Sequence, residues 1–245
     1  MGKVTVITGG TSGIGRGIAE KILDGSAAED RIFVTYGHSE EKAQAFLESL
    51  SPEKRSQMIL MKADMSSYED MLNFVAKLKD QADHVDWLVS NAGVSTYEKY
   101  ENYTFEEWTR IVNTNLSVPV FMIKELLPLI KKGGSVLFTG SYAGQQAYSS
   151  SLVYGVTKAA IHFLTKALVK EFEPKGITVN AIAPGFIETP WHSKRTQESY
   201  DRINKKIALH RFGTVEEVAD MAVAVLGNGY MNGSVVDIHG GYDFF

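Results

Sequence analysis

The chain has 245 residues, which is a usual length for one α/β domain with a large buried core. Charged residues make up 22% of it and the net charge is −4, so composition gives no reason to expect nucleic acid or an anionic membrane as a partner. There is no cysteine, which excludes disulfides, thiolate metal sites and a cysteine nucleophile.

The first residues, MGKVTVITGG, begin a strand pattern almost at once. They lack the charged region followed by an apolar region that marks a signal peptide. No apolar run in the chain approaches the roughly 18 residues that cross a bilayer. We therefore expect a cytoplasmic protein with no membrane partner.

Short β-rich runs alternate with helical patterns along the chain. The runs are nearly continuously apolar, which indicates strands covered on both faces, as in a parallel sheet. The order predicts an α/β fold: a Rossmann-type doubly wound sheet of about seven parallel strands flanked by helices, in a single domain over residues 1–245. The predicted strands are 3–8, 31–35, 57–62, 85–90, 134–139, 177–182 and 234–238. The predicted helices are 13–24, 39–50, 67–82, 105–131, 151–173 and 215–226.

A long irregular piece runs from Pro184 to about Leu209, between the sixth predicted strand and the last helix. A connection of that length in a compact domain is usually functional. We predict that residues 186–209, the lid segment, cover a substrate site. The charged stretch SKRTQESYDRINKK within it indicates that part of the lid segment is an exposed helix.

The first strand runs directly into TGGTSGIG, residues 8–15, with glycines at 9, 13 and 15. Glycines let the backbone turn sharply and approach a pyrophosphate, and the following helix offers its free N–H groups and positive dipole end. The alternative is a glycine-rich turn that holds no ligand. The position between a strand and a helix favours a phosphate cradle.

Tyr154 and Lys158 lie four residues apart on a predicted helix and therefore share one face. A nearby ammonium favours the phenolate, so we expect it to lower the pKa of the tyrosine towards working pH. Ser141 follows the apolar strand VLFTG and so lies at a strand's carboxyl end, where open α/β sheets bind ligands. The alternatives are an idle surface pair and an ordinary turn serine.

These motifs, in this order, resemble the short-chain dehydrogenase/reductase family over essentially the whole chain. The matching segments are TGGTSGIG, NAG at 91–93, NTNL, GSYAG, YGVTK, PGFIET at 184–189 and RFGTVEEVADMA. The resemblance implies four catalytic residues: Asn115, Ser141, Tyr154 and Lys158. In that scheme Asn115 anchors a water near Lys158, Ser141 orients the substrate oxygen, Tyr154 supplies the proton, and Lys158 holds the nicotinamide ribose. Asn115 is preferred to Asn113 because it precedes Leu116, as in the family's pattern.

The resemblance also implies a nicotinamide dinucleotide cofactor. The implied cofactor-binding residues are Gly9, Thr11, Ser12, Gly13, Ile14, Tyr36, His38, Ser39, Asp64, Met65, Asn91, Ala92, Gly93, Tyr154, Lys158, Pro184, Gly185, Ile187 and Thr189. Asp64 is expected to accept from the adenine amino group, and capping of the next helix is compatible with that role. The position that reads the adenosine ribose falls on Tyr36 or Gly37. Neither residue is acidic, so we favour NADP(H) over NAD(H).

Within the family, the PGFIET and RFGTVEEVA segments look most like those of 3-oxoacyl-[acyl-carrier-protein] reductases of fatty acid biosynthesis. The implied function is reduction of a carbonyl, such as a 3-oxoacyl thioester, to an alcohol, or the reverse. Sugar, polyol and steroid dehydrogenases share these segments and remain alternatives. A non-catalytic nucleotide-binding protein or a structural subunit is the alternative from another class. The intact tetrad and glycine turn disfavour both. The expected partners are a small carbonyl, alcohol or acyl thioester substrate and further copies of the chain, as a homotetramer.

Charged and aromatic residues of the lid segment leave further alternatives open. Trp191 packs either on an apolar substrate or on its own protein. The cations Lys131, Lys132, Lys194 and Arg195 are interpreted as solvated, with attraction of an acidic carrier as the alternative. The six histidines form no H-x-x-x-H pair, so no metal site is expected, and each is interpreted as a surface or loop residue.

Overall fold

The computed structural model describes residues 2–147 and 151–244, and the side chains of these residues except that of Asp243. Seven parallel strands form one sheet in the order β3-β2-β1-β4-β5-β6-β7. The doubly wound Rossmann-type prediction is therefore confirmed. The strands are β1 Val4–Ile7, β2 Arg31–Tyr36, β3 Met58–Lys62, β4 Val85–Ser90, β5 Ile130–Thr139, β6 Thr178–Pro184 and β7 Val235–Ile238.

The helices flank the sheet between successive strands. They are α1 Gly13–Asp24, α2 Glu40–Ser49, α3 Pro52–Gln57, α4 Tyr68–Gln81, α5 Phe105–Val112, α6 Val118–Leu126, α7 Leu152–Phe172, α8 Gln197–Asn204 and α9 Val215–Gly227. A π-helical turn, Asn113–Ser117, joins α5 to α6. The predicted helix 105–131 ends earlier than expected because β5 already begins at Ile130, which pairs with Val85.

Each face of the sheet carries its own hydrophobic core. Successive strand side chains point to opposite faces, so Val6 lies in one core and Ile7 in the other. Helices cover both faces, which explains why the strands are apolar along their whole length. A third and smaller cluster, built on Ile203, Ile207 and Phe212, belongs to the lid segment and the residues after it.

One helix in the described part of the chain, Leu152–Lys175, is long and apolar enough to cross a membrane by length and composition alone. Core helices of soluble proteins pass the same test, so this is weak evidence. In this structure the helix packs along β6 and the turn that follows β5.

The order of the strands reverses between β1 and β4, which are neighbours in the sheet. In open α/β sheets a crevice forms outside the carboxyl ends of the strands at such a point. The turns after β1, β4, β5 and β6 all open into this crevice.

Candidate active site

A cavity of about 780 Å³ follows the carboxyl ends of the strands from the glycine turn to the lid segment. It brings together most of the residues singled out from the sequence, although they are spread along the chain. Those that line it are Gly9, Ser12, Gly13, Ile14, His38, Asp64, Met65, Asn91, Ala92, Gly93, Ser141, Tyr154, Lys158, Pro184, Gly185, Ile187 and Thr189.

The glycine turn has the backbone that its sequence predicts. Gly9 and Gly13 have φ of +62° and +51°, a region that favours glycine. A Cβ at Gly15 would collide with the side-chain nitrogen of Asn91 and the carbonyl oxygen of Gly9. The side chain of Ser12 makes no hydrogen bond that caps α1, which leaves the helix N-terminus open towards the cavity.

Asn91 fastens the glycine turn to the sheet. Its side-chain nitrogen donates to the carbonyl oxygens of Thr8 at 3.0 Å and Gly9 at 3.1 Å. Its side-chain oxygen accepts from the hydroxyl of Thr139 at 3.1 Å. Asn91 lies just after β4, so one amide connects the ends of β1, β4 and β5 at the cavity.

Asp64 stands at the opposite end of the cavity from the lid segment. Its Oδ1 accepts from both the backbone N–H and the hydroxyl of Ser66, each at 2.8 Å. Partial burial opposes ionisation, but the hydrogen bonds from Ser66 and the nearby charges of His38 and Arg110 hold the pKa of this carboxyl below its usual value. Asp64 is therefore an ionised acceptor at neutral pH.

Ser141 follows β5 and is 7% exposed. Its backbone N–H donates to Nε2 of His162 at 3.3 Å, and its Oγ accepts from the N–H of Ala143 at 3.1 Å. His162 is itself buried, and burial, followed by the charge of Lys158, lowers its pKa to about 4. The surface interpretation of His162 was wrong. It lies on α7 beneath the end of β5, where it holds the backbone of Ser141.

Tyr154, on the first turn of α7, is half-buried, and its hydroxyl is near enough to the side chain of Ser141 for that group to affect its pKa. Burial raises the pKa of this phenol, and the hydrogen bond from Ser141 opposes that rise only in part. The expected lowering by Lys158 is not seen: burial dominates the pKa of this phenol, and the opposing influence comes from Ser141 rather than from the ammonium. The ammonium of Lys158 lies 5.5 Å from the centre of the tyrosine ring.

Lys158 is 4% exposed, and its ammonium donates to the carbonyl oxygen of Thr139 at 2.6 Å. Burial lowers its pKa to about 8, so the group is still mostly charged at neutral pH. The strand end thus fixes the position of the amine, and the cavity surrounds it.

Asn115 lies behind the cavity wall, in the π-helical turn. Its side chain accepts from the N–H of Val94 at 2.8 Å and donates to the carbonyl oxygen of Val94 at 2.9 Å and to the hydroxyl of Thr157 at 3.0 Å. A Cβ placed on Gly93 would lie 3.4 Å from Oδ1 of Asn115 and 3.7 Å from Nζ of Lys158. Asn115 therefore holds the loop that separates it from Lys158.

Three predicted contact residues, Thr11, Tyr36 and Ser39, do not line the cavity. Strand side chains alternate in direction, and on β2 it is Thr35 that faces the cavity rather than Tyr36. The hydroxyl of Thr35 accepts from the N–H of Gly9 at 3.1 Å. Because side chains alternate along a strand, the residue before Tyr36 on β2 points to the opposite side, and this alternation could have identified Thr35 from the sequence.

The lid segment forms the remaining wall. The ring of Trp191 lies 5.7 Å from that of Tyr154, and its carbonyl oxygen accepts from the hydroxyl of Tyr97 at 3.0 Å. His192, predicted to be a surface or loop residue, lies in the lid segment but is only 9% exposed, and Arg195, interpreted as solvated, is half-buried; both line the cavity. Lys131 instead pairs with Asp86. The positions of these side chains are decided by packing between distant segments, which leaves no periodic pattern in the sequence.

Comparisons with known proteins agree with this geometry. A family model described as enoyl-(acyl carrier protein) reductase matches residues 9–243. The fold is similar to that of a short-chain dehydrogenase from Burkholderia cenocepacia J2315, solved in complex with NADP, with a TM-score of 0.90 and 26% identity over 99% of this chain and 98% of that one. The chain belongs to the short-chain dehydrogenase/reductase family.

Two curated relatives of this short-chain dehydrogenase/reductase act on 3-oxo thioesters by name. It is 31% identical over 246 residues to the 3-oxoacyl-[acyl-carrier-protein] reductase FabG of Aquifex aeolicus, with 98% of this chain and 97% of the relative covered. It is 32% identical over 249 residues to the acetoacetyl-CoA reductase of Rhizobium meliloti, with 100% of both covered. Membership in the family makes the protein an NAD(P)-dependent oxidoreductase.

The residues present fit a nicotinamide dinucleotide. The glycine turn leaves little or no room for a side chain at Gly9 and Gly15, and the open start of α1 supplies N–H donors for a pyrophosphate. A Cβ on Gly13 would lie 3.7 Å from Thr189, so the segment after β6 closes over the same turn. Tyr154 and Lys158 lie further along the same cavity.

Proposed function

We propose that this protein is an NADPH-dependent reductase of ketones, of the 3-oxoacyl thioester type, and that Tyr154 is its proton donor. One observation carries the proposal. Ser141, Tyr154 and Lys158 meet at the carboxyl ends of the strands, in the same cavity as the glycine turn. Their chain order and contacts suit transfer of a proton to a substrate oxygen held beside the dinucleotide.

A nicotinamide dinucleotide held by the glycine turn and Lys158 would supply the hydride that the carbonyl carbon needs. The hydroxyl of Ser141 donates a hydrogen bond to the substrate oxygen, and the phenol of Tyr154 gives that oxygen its proton. The raised pKa of Tyr154 keeps the phenol protonated, which is the form that a reduction needs at the start. The ammonium of Lys158 stabilises the phenolate that remains.

Asn115 is a positioning residue in this scheme. Its side chain is occupied by the backbone of Val94 and by Thr157, so its part is to hold residues 93 and 94 against Lys158. Lys158 would hold the ribose of a bound nicotinamide nucleotide.

The preference for NADP(H) is supported by the end of β2. A side chain at Gly37 would meet nothing within 4 Å, so there is space for a phosphate on the adenosine ribose. An adjoining cavity of about 490 Å³ is lined by His38, Lys62 and Lys77 and by the carboxylates Asp64 and Asp70, so the cations that would meet a phosphate share this space with two acidic groups. A ratio of kcat/KM for NADPH over NADH well above one is expected, and a strong preference for NADH would overturn this part of the proposal.

Assembly into a homo-oligomer, a tetramer in the full proposal, is supported by exposed apolar side chains on α5, α6 and α7. Phe105, Phe121, Val156 and Phe163 are 79%, 42%, 49% and 75% exposed. Large exposed apolar groups of this kind mark association surfaces. Light scattering on the wild type and on Phe163→Glu tests this, with a loss of mass expected in the variant.

We also propose a cytoplasmic location and a place in fatty acid biosynthesis, on the names of the relatives.

A substrate panel tests the proposed function. The oxidation of NADPH is followed at the nicotinamide absorbance with acetoacetyl-CoA, a polyol–ketose pair and a steroid ketone. We expect the thioester to give the highest kcat/KM. Turnover of the polyol or steroid substrate, with no turnover of the thioester, would show that the proposed substrate class is wrong. The proposed reaction type would be unaffected.

A further inference from the structure

The lid segment turns three cations towards the cavity. Arg195, Arg202 and Lys206 all line it, on the side of Tyr154 and Trp191. No described carboxylate lies within ion-pair distance of any of the three. The carboxylate among the described lining residues is that of Asp64, at the adenosine end. This wall therefore carries three cations that form no ion pair with a described carboxylate, while the carboxylate of Glu188 in the same segment accepts from the hydroxyl of Tyr200 at 3.5 Å.

Two buried polar atoms in the same wall have no partner among the described residues. They are Nδ1 of His192, whose side chain lines the cavity and is 9% exposed, and Nε of Arg195. A buried polar group left without a hydrogen bond costs about 1–3 kcal/mol, so such groups usually meet a ligand or water. Packing on Phe186 and Phe212, with ring centres 5.9 and 5.4 Å away, fixes the ring of His192.

The polar side chains of this wall extend away from Tyr154, where the ketone is proposed to react. His192 directly follows Trp191, whose ring lies beside that of Tyr154. Arg195 is held by a hydrogen bond from its Nη1 to the hydroxyl of Ser199 at 2.8 Å. Arg202 and Lys206 lie four residues apart at the end of α8 and just beyond it, and both face the same cavity.

We propose that His192, Arg195, Arg202 and Lys206 form an oxyanion subsite that selects ketones carrying a phosphate or a carboxylate over neutral ketones. This rests on the proposed function, because it assumes that the ketone lies at Tyr154. Guanidinium and ammonium groups bind both oxyanions through charge-assisted hydrogen bonds. A phosphate and a carboxylate lie at different distances from the ketone in such substrates. Substrates that carry one or the other therefore show which oxyanion the subsite binds.

The test measures kcat/KM for three 3-oxo compounds: acetoacetyl-CoA, which carries phosphates, acetoacetate, which carries a carboxylate, and S-acetoacetyl-N-acetylcysteamine, which is neutral. The variant is R202Q/K206Q, chosen because both side chains are exposed and their replacement leaves the core intact. Lys205→Gln is the matched control, since Lys205 is exposed beside Lys206 and does not line the cavity.

We expect the ratio of kcat/KM for one anionic ketone over the neutral ketone to fall about tenfold in R202Q/K206Q. Lys205→Gln should keep the wild-type ratio. A fall for acetoacetyl-CoA alone identifies a phosphate, and a fall for acetoacetate alone identifies a carboxylate. The inference is overturned by an unchanged ratio, by an equal fall in Lys205→Gln, or by an effect confined to the KM of the cofactor.

A binding measurement keeps the inference testable if no 3-oxo compound is reduced, an outcome that would refute the proposed function alone. Calorimetry with saturating NADP⁺, which occupies the adenosine end, measures the dissociation constants of coenzyme A and acetoacetate. A weakening of about fivefold or more for either ligand in R202Q/K206Q, and not in Lys205→Gln, supports the subsite. Equal affinities in the three proteins overturn it.

Discussion

Two walls of the same cavity are built in different ways. The floor, made of the proposed catalytic group Asn115, Ser141, Tyr154 and Lys158, is held by hydrogen bonds to strand ends and loops, such as that from Lys158 to Thr139 at 2.6 Å. The lid segment has its own small aromatic and aliphatic cluster, separate from the two cores on the sheet. The proposed chemistry is thus attached to the sheet, and the wall proposed to meet the variable part of the substrate is not.

The base of the lid segment shows how this separation is achieved. The N–H of Gly213 donates to the carbonyl oxygen of Phe186, and the N–H of Glu188 donates to the carbonyl oxygen of Gly213, both at 2.9 Å. These two bonds close the chain into a loop at its neck. Beyond the neck, Tyr200 packs on Phe212 with ring centres 4.5 Å apart, and the C-terminal residues add contacts, since the N–H of Leu209 donates to the carbonyl oxygen of Gly240 at 3.2 Å. We infer that the lid segment opens as a unit, with lower local stability than the floor.

The largest expected effect concerns the floor. Tyr154→Phe removes the proposed proton donor while leaving the ring against Trp191, so we expect kcat to fall about 10³-fold with little change in cofactor affinity. Steady-state kinetics and titration of cofactor fluorescence measure the two quantities. A variant that kept wild-type kcat on the best ketone would remove Tyr154 from the mechanism.

The next effect tests how rigid the cofactor side of the cavity is. Gly15→Val places side-chain atoms on Asn91 and on the carbonyl of Gly9, so we expect a loss of about 1–3 kcal/mol in the free energy of unfolding. Cofactor affinity should fall more than tenfold, because the turn is displaced. Gly25→Ala is the matched control, since a Cβ there meets nothing within 4 Å. Equal stability of the two variants would contradict the tight packing described here.

A third prediction compares one histidine from each wall. Burial lowers the pKa of His162, in the floor, and of His192, in the lid segment, to about 4, from an ordinary value of 6.5. In both cases the unfolded chain binds the proton more readily than the folded one. Stability is therefore full above about pH 6.5 and is lost as the pH falls towards 4, by at most about 3 kcal/mol for each residue.

Denaturant titrations of His162→Leu and His192→Leu at a series of pH values check this. Each variant should lose less stability than the wild type between pH 6.5 and 4. The difference should be greater for His162, because the floor unfolds only with the sheet, whereas the lid segment opens locally. Curves parallel to that of the wild type in both variants would show that neither histidine is held neutral by burial.

The smallest effect concerns the contact between the walls. Trp191→Ala removes the ring beside Tyr154, and an aromatic pair is worth about 0.5–1.5 kcal/mol. We expect a few-fold fall in kcat/KM for the ketone and none in cofactor affinity. Tyr230→Ala, at a fully exposed position, is the control. A fall of 10³-fold would mean that Trp191 belongs to the floor.

The difference between the walls also explains which features of the structure could be predicted from the sequence and which could not. The strands and the glycine turn carry local signals, namely apolar runs and glycines at fixed spacing, and the structure places them within a few residues of the prediction. The polar, six-residue α3 was missed because it has no apolar period. The catalytic roles remain predictions.

Other positions depend on contacts between distant parts of the chain. His162 lies one turn beyond Lys158, so the helix period places it on the same face as Tyr154 and Lys158, but no sequence pattern predicts that the N–H of Ser141 donates to it. Arg110 reaches the cavity from α5, and Arg195 from the lid segment. No spacing rule predicts these approaches, since they follow from how whole elements pack.

The hydrogen bonds of Asn91 couple dinucleotide binding to the stability of the folded protein. Its amide links residues 8, 9 and 139, which come together only when β1, β4 and β5 are paired. A chain that has not completed the centre of its sheet therefore has no place for a dinucleotide. Ligands that bind only the folded state raise its stability by mass action, by about 2.7 kcal/mol at a hundredfold excess over Kd. The melting temperature of this protein should thus rise with the concentration of nicotinamide dinucleotide around it, so that the abundance of a metabolite governs how long each copy survives.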